Sequence, residues 1–183
     1  IRSARFAPDG QTILYTAAWQ GGAVDVFTAR PEAPESRSMG LPRTQLLAIS
    51  ASGELAVQLN SQQMGTWVNM GTLARAPLVG GAPREVLERV QWADWSPGGD
   101  LAVVRDLEGQ NRLEMPVGTV LYRTGGCIGH PRVSRQGDRI AFIDHPIQGD
   151  DSGTIAVVDL TGKKTVLTDV WYTTQGLAWS KDG

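Results

Sequence analysis

Cysteine is almost missing from this sequence: Cys127 stands alone among 183 residues. An intrachain disulfide and a cysteine-built zinc site are therefore both excluded. Lysine is nearly absent too, occurring only at Lys163, Lys164 and Lys181, and the other basic residues are arginines. With a formal net charge of −2, nothing in the bulk electrostatics suggests a nucleic-acid-binding protein. No apolar run approaches the roughly 20 residues that cross a bilayer. No signal-peptide pattern opens the sequence at Ile1. Neither a G-x-S-x-G nucleophile elbow nor a G-x-x-x-x-G-K phosphate loop occurs, and the motifs of a kinase catalytic domain are missing. The expectation is a chain without catalytic residues and without a cofactor.

What the sequence does have is glycine (22) and proline (10), with an ordinary apolar share of 41%. That composition suits many short strands joined by tight turns. Five segments repeat: Phe6-Ala7-Pro8-Asp9-Gly10, Ile49-Ser50-Ala51-Ser52-Gly53, Trp95-Ser96-Pro97-Gly98-Gly99, Val133-Ser134-Arg135-Gln136-Gly137 and Trp179-Ser180-Lys181-Asp182-Gly183. Each reads apolar, small, Pro or polar, polar, Gly. Their glycines lie 43, 46, 38 and 46 residues apart. A period near 40 is the length of one four-stranded unit of a radial β architecture. The motif itself reads as a hairpin turn. Proline is pre-set for its second position, and glycine supplies the left-handed residue that ends it. Runs such as Thr12–Thr16, Leu101–Val104 and Arg139–Ile143 follow the turns and read as strands. Glu85–Arg89 comes nearest to helical spacing, but its place in the repeat argues for strand.

The F-A-P-D-G and W-S-P-G-G turns, followed by further strand pairs, resemble the WD40-like or PD40 repeat of TolB-type β-propellers. The resemblance covers nearly the whole chain. It implies an all-β propeller of four-stranded antiparallel blades, with about four present over residues 1–45, 46–90, 91–129 and 130–175. A further blade begins at 176–183, so a portion of a larger propeller is expected. The second and fourth turns lack the proline. The wording between Gly71 and Gly162 is most similar to the propeller regions of bacterial serine/threonine protein kinases. That implies a non-catalytic sensor or scaffold module. The alternatives are a gating propeller of a prolyl-oligopeptidase-type serine peptidase and a TolB-like periplasmic scaffold. The resemblance favours an extracytoplasmic place over the cytoplasm, without deciding the compartment.

Candidate site residues follow from the repeat. One residue before each apolar slot stand Arg5, Ala48, Asp94, Arg132 and Ala178. Equivalent inner-strand residues share a level around a propeller axis, so Arg5, Asp94 and Arg132 are candidates for a charged ring that binds a protein or small ligand, or that staples neighbouring blades. Trp92 and the Trp171-Tyr172 pair, expected at strand entrances or loops, are candidate aromatic anchors. Trp95 and Trp179 occupy the apolar slot and are expected in the core. Ser134 near His130 belongs to a turn, not to a triad, and Cys127 is expected to be inert. No metal site is expected. Asp144, Asp150 and Asp151, around His145, are the nearest approach to an oxygen-ligand cluster. An incomplete propeller could also pair with copies of itself.

Overall fold

The computed structural model describes residues 1–19, 21–65 and 67–183, and of Pro34 the backbone. Among the described residues every regular element is a strand, and no helix is long and apolar enough to cross a membrane. The first sheet is β1 (Ser3–Phe6), β2 (Ile13–Ala17), β3 (Asp25–Arg30) and β4 (Ala33–Ser38), hydrogen-bonded in that order. The second runs from β5 (Thr44–Ile49) through β6 (Glu54–Met64), β7 (Val68–Pro77), β8 (Arg84–Trp95), β9 (Leu101–Leu107) and β10 (Gln110–Glu114) to β11 (Val120–Thr124). The third is β12 (Cys127–Val133), β13 (Arg139–His145), β14 (Thr154–Asp159) and β15 (Lys164–Val166).

The repeated motif makes the same turn each time. The glycine N–H donates to the carbonyl of the small residue three positions back. Gly10 bonds Ala7, Gly53 bonds Ser50, Gly99 bonds Ser96, Gly137 bonds Ser134 and Gly183 bonds Ser180, over 2.9 to 3.4 Å. All five glycines have positive φ, between 68° and 101°, where a Cβ would clash with the backbone. The turns at Gly53, Gly137 and Gly183 form without proline because this bond and this φ carry them. The motif serine adds a second tie: Ser50, Ser96 and Ser134 each accept, through Oγ, the N–H of the residue four positions on. In the first turn Asp9 does this work, accepting from the N–H groups of Gln11 and Thr12 and from the Thr12 hydroxyl. Those bonds, those of Thr12 foremost, hold its carboxyl down to about 2.

The chain divides into two compact units, residues 1–62 with 69–88, and residues 63–68 with 89–183. The core of the first gathers Leu14 and Val26 of β2 and β3 against Leu46, Leu55, Val57, Ala74 and Ala76 of β5 to β7. The core of the second gathers Ala102, Val104, Leu113 and Leu121 against Ile128, Ile140, Phe142, Ala156 and Val158. In both, residues two apart along a strand supply the apolar face, as the pleat requires.

The strands β6 to β8 are longer than the repeat pattern suggests. The division expected between residues 90 and 91 falls inside β8, one strand hydrogen-bonded to both β7 and β9. Within β8, Arg89 has φ of 58°, and the register with β9 slips between Val90 and Trp92.

Candidate functional site

Each innermost strand of the second unit carries a bulge, between Val90 and Trp92 in β8 and between Gly129 and Arg132 in β12. These bulges re-aim the side chains beside them. Trp92 and His130 come together, their ring centroids 4.4 Å apart and tilted by 44°. Trp92 therefore lies within β8, half-buried against the core, and not at a strand entrance as the sequence suggested. Two positions further along, the Asp94 carboxylate accepts the N–H of Val133 at 2.9 Å. Arg132 donates from Nε to the Leu177 carbonyl (3.1 Å) and from Nη1 to the Pro131 carbonyl (2.6 Å). Trp179 donates from its indole N–H to the Arg132 carbonyl at 2.9 Å. Burial pushes the Arg132 pKa down, and the Asp94 carboxylate opposes that shift. The result is a partly desolvated guanidinium near the Asp94 carboxylate, on a strand whose Arg132 carbonyl also takes the Trp179 indole N–H.

Arg5 lies in the other unit, on β1, where its Nη1 donates to the Ala4 carbonyl. Trp171 and Tyr172 stand apart from the inner strands. Trp171 pairs with Gly153 through two backbone bonds of 2.9 Å, and Trp171 is 56% and Tyr172 91% exposed. Trp95 is buried, and Trp179 half-buried.

The three aspartates have separate tasks. Asp144 accepts from the Tyr122 hydroxyl (2.8 Å) and the Lys164 ammonium (2.6 Å), which also lies over the Tyr122 ring. Asp150 accepts the Ser152 N–H within its own loop, which lowers its pKa. Asp151 is half-buried in the same loop. Among the described residues no three His, Cys, Asp or Glu side chains gather as a metal site. Ser134 Oγ donates to Asp138 at 2.7 Å, inside its own turn. Cys127 is buried, and burial pushes its thiol pKa up, away from the reactive thiolate.

His130 was not among the residues expected at the inner-strand site. Its signal was present: His130 stands seven residues before Gly137, as Trp92 stands seven before Gly99. Two residues of the same repeat level are thereby brought into ring contact.

No family model matches the chain, and no curated protein matches it either. Solved structures do. A TolB-like protein from Agrobacterium tumefaciens superposes with a TM-score of 0.75 at 16% identity, over 96% of this chain and 69% of that one. TolB from Acinetobacter baumannii gives 0.65 at 14% identity, over 87% of this chain and 40% of that one. The β-propeller domain of the Trilobed protease from Pyrococcus furiosus gives 0.51 at 13%, over 86% of this chain and 53% of that one. The fold is thus a β-propeller of four-stranded antiparallel blades, about four of which are present. It is the propeller type seen in TolB and in propeller domains of peptidases.

Proposed function

We propose that the chain is a non-catalytic binding module, the sensor or scaffold portion of a bacterial serine/threonine kinase-type protein. The carrying observation is how its polar groups are used. Ser134, four residues from His130, is tied into a turn, and the one thiol is buried. Meanwhile Asp94 lies by Arg132, and Trp92 by His130, on the inner strands, and Trp171 and Tyr172 offer exposed rings. Exposed aromatics and rigidly held polar groups are both features of recognition surfaces. The kinase association rests on the wording of residues 71–162, and an extracytoplasmic place belongs to the same reading.

The test is affinity capture from bacterial extract, with the chain as bait beside two variants, Asp94→Ala and the double change Trp171→Ala with Tyr172→Ala. A partner held by the unaltered chain and lost by a variant is the expected result. A chain that retains nothing overturns the interaction role, and an unchanged capture profile in both variants overturns these residues. A second reading is favoured by the likeness to a protease's propeller domain: a gating propeller beside a serine peptidase. Retention of a peptidase domain in place of a kinase would select it.

A further inference from the structure

The opposite face of β9, β10 and β11 carries an arrangement independent of that reading. In the register of these strands Arg105 lies directly across from Arg112, and Arg112 directly across from Arg123. Three guanidinium side chains thus stand side by side in one cross-strand row. Directly opposite residues have Cβ atoms about 4.5–5.5 Å apart. Like charges at that spacing repel, and a sheet gains nothing from them by itself.

The carboxylates beside the row do not hydrogen-bond to it. Glu114, buried, comes no nearer to Arg105 than 3.7 Å, and its other oxygen accepts the Gly118 N–H at 2.9 Å. Glu108, exposed in the β9–β10 turn, stays 3.9 Å from Arg112. Arg123 is exposed. The Nε groups of Arg105 and Arg112 are both buried and both lack a hydrogen-bond partner. A buried, unpaired N–H of a charged group is costly. The Nε atoms themselves are enclosed, but about a fifth of each of those two side chains remains accessible (19% and 22%), which leaves part of each guanidinium-bearing side chain open to a ligand.

We infer that this row is a site for a phosphate group, free or esterified. A tetrahedral dianion presents several oxygens, enough to take N–H donors from two neighbouring guanidinium groups at once, and it offsets the charge that the two glutamates leave uncompensated. A single carboxylate has one face and one charge, and matches one fork.

The experiment is isothermal titration of the chain with inorganic phosphate and, separately, with glycerol 3-phosphate, at constant ionic strength set with chloride. Saturable binding of either probe is expected, at least tenfold weaker in Arg112→Gln and in Arg123→Gln. Binding of inorganic phosphate alone assigns the site to the free anion, and binding of the ester alone assigns it to a phosphorylated ligand. Arg112→Gln should also unfold at higher urea than the unaltered chain at low salt without phosphate, because the repulsion is relieved. Arg123, being exposed, gives a variant whose folding is not at risk. Failure of both probes to bind, equal binding by matched chloride, or undiminished binding in both variants overturns the site.

Discussion

His145 shows how one side chain couples this fold to pH. It is buried at 1% exposure, its ring against Trp67 at 4.6 Å and its Nε2 packed on Gly129 without a hydrogen-bond partner. Nδ1 bonds the Ser152 carbonyl at 3.0 Å, which puts the proton of the neutral ring on that nitrogen. Burial pushes the His145 pKa below its ordinary value of 6.5, against the Ser152 carbonyl and the carboxylates of Asp151, Asp144 and Asp150, which favour the charged ring. The sign follows from linkage. Below the ordinary histidine range the unfolded chain takes up a proton that the folded chain refuses, so stability is full above that range and is lost as pH falls through it. Urea unfolding should therefore show a lower midpoint at pH 5 than at pH 7.5, with a smaller difference in His145→Gln. An equal difference in that variant would place the titrating group elsewhere.

At the scale of the element, two glycines separate two kinds of cost. Gly99 has φ of 89° and open space around it. Gly99→Ala should therefore cost only the left-handed strain, about 1–2 kcal/mol, and Gly99→Asn less. Gly126 has no positive φ, yet a Cβ there would overlap the carbonyl oxygen of His145 and the backbone of Pro146. Gly126→Ala should cost more than Gly99→Ala, as read from chemical denaturation of both. The contrast also marks what a sequence discloses. The turns were legible because the glycine and the small residue before it each have a local duty, a positive φ and one hydrogen bond. Gly126 gave no such sign, because its constraint comes from β13, nearly twenty residues away. For the same reason the sequence puts Trp92 at a strand entrance and the structure puts it within β8: the bulge after Val90 and the passage of β8 through Arg89 depend on partners on both sides of the strand. Of the candidate ring, Asp94 and Arg132 share one unit, and Arg5 lies in the other. The arginine row escaped notice because Arg105, Arg112 and Arg123 have no common spacing, and only strand register aligns them.

For the whole molecule, the consequential fact is that each unit has its own apolar cluster. Phe142 is fully buried in the second, packed near Tyr122 with ring centroids 5.2 Å apart. Phe142→Ala should cost about 3–5 kcal/mol. Hydrogen exchange should then quicken in β12 to β14, while β2 and β3, whose core is Leu14, Val26 and Leu46, keep their protection. Uniform quickening across all strands would mean that the two clusters unfold as one.

The repeated turn has a historical consequence. Its bond joins the small residue and the glycine, and the two positions between them are filled by Pro-Asp, Ala-Ser, Pro-Gly, Arg-Gln and Lys-Asp in turn. Within a single chain those middle pairs differ in every copy while the turn is the same. A lineage built of such units can shed most of its sequence likeness over evolutionary time and still be recognised by shape.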